Sequence, residues 1–237
     1  MNEALSLKGV SAHYGTSHVL FDVSLRVGRG EIVCLLGRNG AGKTTTIKSV
    51  MGLVGVSSGK VLFEDEEVQS KRTDAIARLG IGYVADARII FPDLTVRENL
   101  EVGIKKGPSP VGFEWSVDRI YELFPPLAPL DRNLGAYLSG GEQQMLAVGR
   151  TLMGNPSLLL LDEPVEGVAP IIVRDLGKRL QTLKELGLTI LFSEQNVPFA
   201  TAIADRGYVI EKGRIRFEGT MAELSANDEV KRKYLML

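Results

Sequence analysis

The sequence predicts an α/β fold in which helices wrap a mainly parallel β-sheet and a small, mainly helical segment is inserted. Short aliphatic runs alternate with helical-period segments in "LLLLDEP", "IIVRDLGKRLQTLKELG" and "LTILFSE", a pattern typical of parallel sheets. Residues 86–155 differ, because Pro- and Gly-rich loops such as "FPPLAPLDRN" separate their helical segments. We therefore expect one domain over residues 1–237, with an α/β core at 1–85 and 156–237 and a helical subdomain at 86–155.

Further strands are predicted from short β-branched or aliphatic runs between Gly and polar turns. These runs lie at residues 5–10, 19–27, 31–36, 60–63 and 81–84. Near the C-terminus, "RGYVIEKGRIRFEG" predicts two strands joined by a turn at Lys212 and Gly213, with a helix after them.

The composition argues against several classes of protein. With 28 Lys and Arg against 29 Asp and Glu, the chain lacks the basic surface of a general nucleic-acid binder, so we expect no nucleic-acid partner. Apolar runs such as "SLLLL" are far shorter than the roughly 20 residues needed to cross a bilayer, and no signal-peptide pattern is visible. The single cysteine, Cys34, is expected in a buried strand, and His13 and His18 lack the spacing of a metal site.

The segment "GRNGAGKT" matches the phosphate-binding pattern G-x-x-x-x-G-K-[ST] and lies between a predicted strand and a predicted helix, as that motif requires. Its glycines would let backbone N–H groups approach phosphates. Lys43 would add a positive charge near the β- and γ-phosphates, and Thr44 would offer a hydroxyl to Mg²⁺. The predicted nucleotide-binding residues of this loop are Gly37, Arg38, Asn39, Gly40, Ala41, Gly42, Lys43, Thr44 and Thr45.

Two carboxylates, Asp162 and Glu163, follow the apolar run "LLLL" at the C-terminal end of a predicted strand, the edge where parallel sheets bind ligands. Asp162 is suited to hold Mg²⁺ directly or through water, and Glu163 to polarise an attacking water. Together with the phosphate loop they indicate a nucleoside triphosphatase. A P-loop kinase is an alternative, although an acid beside Asp162 favours water as the phosphate acceptor. The sequence has no guanine-binding NKxD motif.

A second candidate anion site is "LSGGEQQ", residues 138–144. Ser139 is a good helix N-cap, and the free N–H groups and dipole of a helix N-terminus favour an anion. Because the phosphate loop already provides a site for the phosphates, this segment either caps its own helix only or also serves a ligand held elsewhere.

The order of "GRNGAGKT", "LSGGEQQ" and "LLLLDEP" resembles that in the ATP-binding subunits of ABC transporters, over essentially the whole chain. Finer segments, including "IIFPDLTVRENL", "EGVAPIIV" and "SEQNVPFATAIADRGYVIEKGRI", resemble the LivF-type subunits of branched-chain amino acid importers. The resemblance implies a P-loop NTPase fold: a RecA-like core, an antiparallel β subdomain and the helical insertion. It also implies a head-to-tail dimer, of like or unlike subunits, that sandwiches two ATP molecules with Mg²⁺.

The resemblance further implies individual roles. Tyr14 would stack on adenine. Residues of the "LSGGEQQ" segment would contact the γ-phosphate bound by the other subunit, and they are Ser139, Gly140, Gly141 and Glu142.

Three positions depart from the usual family pattern. Asp86 stands where a metal-associated Gln is usual, and it is predicted at the metal site. Val165 replaces a serine in the loop after Glu163. Gln195 stands where many members have His, and it would donate a neutral hydrogen bond to the γ-phosphate. We therefore expect slow but measurable hydrolysis, with Lys43, Glu163 and Gln195 as its catalytic residues.

By resemblance, the chain is expected at the cytoplasmic face of the inner membrane as the motor of an importer. Permease subunits would dock near "IIFPDLTVRENL", and a periplasmic binding protein would supply the cargo. Branched-chain amino acids are the first expectation, with urea, amides or aromatic acids as alternatives. A non-transport ABC ATPase is disfavoured because such proteins generally fuse two cassettes or carry a long coiled-coil insertion.

Overall fold

A computed structural model describes residues 3–235 of the chain. Its strands are β1 (Glu3–Tyr14), β2 (Ser17–Gly28), β3 (Ile32–Leu36), β4 (Val56–Phe63), β5 (Glu66–Glu67), β6 (Ile81–Val84), β7 (Leu158–Asp162), β8 (Thr189–Glu194), β9 (Arg206–Glu211) and β10 (Arg214–Thr220). Its α-helices are α1 (Lys43–Val50), α2 (Thr73–Arg78), α3 (Val96–Glu101), α4 (Val117–Leu123), α5 (Gly140–Leu152), α6 (Pro170–Glu185), α7 (Val197–Ile203), α8 (Met221–Ala226) and α9 (Asp228–Val230).

The larger sheet has the strand order β10-β9-β3-β8-β7-β6. Its pairings are parallel except that between β9 and β10. Strands β3, β7 and β8 are buried along their whole length, as expected for parallel strands covered on both faces. The turn between β9 and β10 has φ of 49° at Lys212 and 71° at Gly213, as in the tight turns favoured by hairpins. The predicted parallel sheet and C-terminal hairpin are therefore confirmed.

The smaller sheet is antiparallel, with the order β2-β1-β4-β5. Strand β1 is longer than the predicted 5–10, because His13 and Tyr14 continue to pair with His18 and Ser17 across the β1–β2 hairpin. The rings of His13 and His18 stack with their centroids 4.0 Å apart. Across the described part of the chain, no cluster of three or more His, Cys, Asp or Glu side chains could hold a metal ion.

Strand β3 separates two hydrophobic cores. Cys34 and Leu36 pack into one cluster, and Val33 and Leu35 into the other, as the alternation of side chains along a strand requires. Cys34 is fully buried in β3 and burial raises the pKa of its thiol, so its predicted place in a buried strand is confirmed.

The interval 86–155 contains α3, α4 and α5, with 3₁₀ segments at Pro125–Leu130 and Gly135–Tyr137. Its limits as a separate subdomain stay a prediction. None of the helices within residues 3–235 has both the length and the apolar character needed to cross a membrane.

Candidate phosphate-binding site

The loop between β3 and α1 has a backbone that only glycine fits at two positions. A Cβ on Gly37 would lie 2.5 Å from the carbonyl oxygen of Ile210, and one on Gly42 would lie 2.9 Å from the side chain of Leu20. Gly42 also has φ of 112°, a conformation that other residues rarely adopt. The first turn of α1, all of which is described, carries no acidic side chain and no side-chain cap. Its N–H groups are therefore available to an anion.

Lys43 points back into this loop. Its Nζ donates to the carbonyl oxygens of Gly37 at 2.7 Å and Arg38 at 3.1 Å. The same ammonium lies 3.0 Å from Oε1 of Glu163, and the two side chains are only 3% and 9% exposed. A buried charge is stable only when paired and hydrogen-bonded, and these contacts supply both conditions. The two predicted catalytic side chains therefore face each other.

Asp162 connects the phosphate loop with the neighbouring strands. Thr44 Oγ1 donates to Asp162 Oδ1 at 3.0 Å, and Ser193 Oγ donates to the same oxygen at 2.6 Å. The other oxygen, Oδ2, is buried and has no hydrogen-bond partner among the described residues. Burial raises the pKa of Asp162, and the charges of Asp86 and Glu163 raise it further. A buried carboxylate oxygen without a partner, next to a hydroxyl, fits the oxygen ligands that Mg²⁺ prefers.

Glu163 has a backbone that non-glycine residues seldom adopt, with φ of 46°. Its N–H donates to the carbonyl oxygen of Ser193 at 3.2 Å and to the Ser193 hydroxyl at 3.1 Å, and these bonds hold the conformation. Left-handed backbone at a non-glycine residue costs of order 1 kcal/mol and tends to occur at functional sites. A hydrogen bond to Glu163 and the charge of Glu163 both raise the pKa of Glu166. Glu163 and Glu166 are three positions apart, so their spacing could have indicated this pair from the sequence.

Ser139 caps α5, as its place in the sequence suggested. Ser139 Oγ accepts from the N–H of Glu142 at 3.4 Å, and Glu142 Oε2 accepts from the N–H and the hydroxyl of Ser139 at 2.7 Å each. This reciprocal arrangement is a capping box. Within residues 3–235 of a single chain, no hydrogen bond or ion pair joins residues 139–142 to the loop at 37–45. A role of this turn toward another subunit stays a prediction.

Most of the remaining predicted residues are exposed. Tyr14 ends β1 and is 47% exposed. Asp86 is exposed and accepts the N–H of Ala87 at 2.8 Å. Gln195 is exposed directly after β8. Arg38, too, is exposed, with Asn39 and Gly40 beside it, whereas Ala41 and Thr45 are buried. Their proposed contacts with a nucleotide stay predictions.

Two residues at the end of β8 belong to this site but were not predicted from the sequence. Ser193 donates to Asp162, and Glu194 accepts backbone N–H groups of two neighbouring loops. The sequence pattern that could have indicated them is the polar pair "SE" directly after the apolar run "LTILF". The pair "DE" follows "LLLL" in the same way. Burial raises the pKa of Glu194.

This chain is similar to known proteins in both sequence and fold. The ABC transporter family profile matches residues 20–166. The chain is 42% identical to the high-affinity branched-chain amino acid transport ATP-binding protein BraG of Pseudomonas aeruginosa, covering 98% of this chain and 99% of BraG. It is 37% identical to the lipopolysaccharide export system ATP-binding protein LptB of Escherichia coli, covering 98% and 96%.

Two further likenesses lie at somewhat lower identity. A probable branched-chain amino acid transport ATP-binding protein, LivF of Archaeoglobus fulgidus, is 36% identical, covering 93% of each chain. The crystal structure of a nucleotide-free ATP-binding cassette from an ABC transporter superposes with a TM-score of 0.83 at 28% identity, covering 96% of this chain and 97% of that one. The predicted P-loop NTPase fold is confirmed by this likeness.

Proposed function

This chain belongs to the ABC transporter family and is an ATP-hydrolysing enzyme, and we propose that its hydrolysis drives transport by membrane permease subunits. ABC ATPases work as dimers together with such permeases. The observation that carries the assignment of the site is the buried pairing of Lys43 with Glu163 beside the bond from Thr44 to Asp162. These contacts join the first turn of α1, directly after the phosphate loop, to the end of β7.

We assign the chemical roles as follows. The N-terminus of α1 and the loop N–H groups bind the phosphates of ATP. Lys43 exchanges its contact with Glu163 for the γ-phosphate, which leaves the Glu163 carboxylate free to take a proton from the attacking water. Thr44 and Asp162 would hold Mg²⁺, with Asp86 near them, and the ion would neutralise charge on the phosphates. Gln195 donates a hydrogen bond to the γ-phosphate.

Asp162→Asn tests this assignment. Replacing the carboxylate should lower hydrolysis by on the order of 10²-fold or more and raise the Mg²⁺ concentration needed for half-maximal rate. Asp175→Asn is the control, because Asp175 lies on α6 and pairs with Arg179. Unchanged Mg²⁺ dependence in Asp162→Asn would remove Asp162 from the metal site.

We further propose that each site is completed by a second subunit, identical or different. The capped N-terminus of α5, with Gly140 and Gly141 at its start, offers N–H groups to a γ-phosphate held by the partner, while Ser139 and Glu142 keep the turn in shape. Tyr14, exposed at the end of β1, stacks on the adenine of its own subunit's ATP.

The proposed docking surface for the permeases is the exposed apolar side of the segment 89–104. Ile89 is 62% exposed, Phe91 44% and Ile104 61%. The guanidinium of Arg150 lies 4.9 Å from the centre of the Phe91 ring and donates to the carbonyl oxygen of Ile89. Arg150 lies on α5 and connects this surface to that helix, whose N-cap is Ser139. Movement of residues 86–155 as a helical subdomain would then couple the permease docking surface to the N-terminus of α5.

For the cargo we propose branched-chain amino acids, because BraG is 42% identical over almost the whole chain. Such a system operates as an importer: the chain lies at the cytoplasmic face, where ATP is present, and a periplasmic binding protein delivers the amino acid. Urea, amides and aromatic acids are alternative cargoes. LptB, at 37% identity over the same length, favours lipopolysaccharide export as the second candidate function.

Purification of the complex through a tagged copy of this chain distinguishes the two directions. Reconstituted in vesicles with its co-purifying permeases, an importer should show hydrolysis stimulated by the binding protein with leucine, isoleucine or valine. Stimulation by urea or by aromatic acids instead would reassign the cargo. Stimulation by lipopolysaccharide without any binding protein would indicate an exporter.

A further inference from the structure

Glu194, the last residue of β8, is a buried acid to which the proposed chemistry gives no role. It is 2% exposed. Among residues 3–235 it forms no ion pair. Its carboxylate is held by backbone donors instead: the N–H of Val165 donates to Oε1 at 3.2 Å, and those of Gln195 and Asn196 donate to Oε2 at 3.0 Å each. One carboxylate therefore binds two separate loops.

The backbone of Glu194 reaches a third loop. Its carbonyl oxygen accepts the N–H of Gly37 at 3.2 Å. The three loops follow β3, β7 and β8, which lie side by side in the sheet, and they carry Lys43, Glu163 and Gln195. Glu194 is thus in contact with each of the loops that hold a proposed catalytic side chain.

A carboxylate at this position is costly unless it accepts several hydrogen bonds, because burial disfavours its charge. Charge-assisted bonds from backbone N–H groups are roughly twice as strong as neutral ones. The three donors therefore offset part of the cost of burial, and the carboxylate holds both loops more firmly than a neutral acceptor would.

We propose that Glu194 is a positioning residue that ties the loop after Glu163 to the loop of Gln195, so that the two move as one unit when ATP binds and is hydrolysed. This inference rests on the proposed roles of Glu163 and Gln195. Val165 is the attachment point on one loop, and the N–H groups of Gln195 and Asn196 are the attachment points on the other.

The chemistry of the side chain makes the proposal specific. In Glu194→Gln, one oxygen can still accept from one loop, but the carboxamide nitrogen is a donor and would face the N–H of the other loop. One connection is therefore lost while the size of the side chain is kept. Glu194→Asp keeps the charge but is shorter by one methylene group, so it reaches both loops less well.

The test measures hydrolysis and ATP binding separately. Glu194→Gln should lower kcat by at least about tenfold, as expected when a transition-state contact is misplaced, and change the Kd of a fluorescent ATP analogue by less than about twofold. Both variants keep a polar acceptor, but only Glu194→Asp keeps the negative charge. Glu194→Asp should therefore retain more of the wild-type kcat than Glu194→Gln does. Amide hydrogen exchange should become faster at Val165 or at the Gln195–Asn196 pair in Glu194→Gln.

Glu31→Gln is the matched control. Glu31 also accepts a backbone N–H, that of Gly28 at 2.7 Å, and pairs with Arg206, but it contacts neither loop. Its variant should lose thermal stability and keep kcat. An equal loss of kcat in Glu31→Gln and Glu194→Gln, or a wild-type kcat in Glu194→Gln, would overturn the inference. Should Glu194→Gln fail to fold, the same comparison is made with Glu194→Asp.

Failure of this inference is distinguishable from failure of the proposed function. If Glu163→Gln abolishes hydrolysis and Glu194→Gln does not slow it, only the role of Glu194 is wrong. If Glu163→Gln hydrolyses ATP at the wild-type rate, the assignment of the site itself is wrong.

Discussion

The ammonium of Lys43 lies 3.0 Å from a carboxylate oxygen of Glu163, with both side chains buried. In this arrangement each charge satisfies the other, and Lys43 also donates to two carbonyl oxygens of its own loop. On the proposed assignment, the γ-phosphate of ATP would have to compete with Glu163 for the lysine. Binding of nucleotide and release of Glu163, the proposed catalytic base, would then be two consequences of one exchange of partners.

Glu163→Gln should stop hydrolysis and at the same time tighten ATP binding. The amide cannot take a proton from water, and it competes for Lys43 less well than a carboxylate does. A difference of about 1 kcal/mol corresponds to roughly fivefold in Kd. Phosphate release and titration with a fluorescent ATP analogue measure the two effects. Glu185→Gln, at an exposed position near the end of α6, should change neither; weaker ATP binding in Glu163→Gln would contradict the competition.

Ser139→Ala should lower both stability and hydrolysis, whereas Thr220→Ala should lower stability only. Thr220 caps α8 through the same capping box with Glu223, so each variant loses an equivalent cap, worth about 1 kcal/mol. Only Ser139 is proposed to face the ATP of another subunit. Thermal unfolding and phosphate release are measured side by side. If the two variants hydrolyse ATP equally fast, Ser139 acts as a helix cap and nothing more.

Hydrolysis per subunit should rise with protein concentration. Each ATP site is proposed to need the α5 N-terminus of a second subunit, so the active fraction follows the dimer by mass action. Phosphate release is measured over a dilution series at saturating ATP, and dimer content by sedimentation. Ser139→Ala is expected to lie below the wild-type curve at every concentration. A rate strictly proportional to protein at all dilutions would show that one subunit suffices.

Gln195→Ala should reduce kcat by up to about 10²-fold, the lower end of the effect of removing one transition-state donor. The side chain is exposed after β8, so its removal should leave the melting temperature close to that of the wild type. Gln195→His restores a donor that can also carry charge, and it should recover the rate or exceed it. An unchanged turnover number in Gln195→Ala would exclude this residue from the mechanism.

The stability difference between wild type and Glu194→Gln should depend on pH. Burial raises the pKa of Glu194 in the folded state above the value of about 4.3 for an exposed glutamate. The folded protein therefore holds the carboxyl proton of Glu194 more tightly than the unfolded chain does. The contribution of Glu194 to the free energy of unfolding is then greatest at pH values below the pKa of the unfolded chain. It declines as the pH rises through the folded pKa.

The glutamine does not titrate, so the variant lacks this contribution. The difference in free energy of unfolding between wild type and variant is measured by denaturant unfolding at several pH values between about 4 and 7. This interval is chosen around the ordinary glutamate pKa of about 4.3. The free energy of unfolding of wild type minus that of Glu194→Gln should shrink as the pH rises. A gap that widens would mean that hydrogen bonds to the charged form outweigh the cost of burial.

Much of the phosphate loop could be predicted from the sequence, since its motif is local. The pattern from Gly37 to Thr44 is contiguous, and its strand and helix neighbours follow from short-range hydrophobic periodicity. The capping box of Ser139 and Glu142 is predictable for the same reason, because its partners are three residues apart in the sequence. The hairpin turn at Lys212 and Gly213 likewise depends on neighbouring residues alone.

Contacts between distant segments were decided by the tertiary structure. Thr44 and Asp162 meet because β3 and β7 both pair with β8, and the same sheet order brings Ser193 onto Asp162 and Glu194 onto Val165. No spacing along the chain encodes which strand lies between two others. The sequence by itself determined which segments form strands, helices and loops and which functional side chains each of them carries. Strand order and burial decided which charges are paired, because hydrogen bonding across a sheet and exclusion of water depend on residues far apart in the chain.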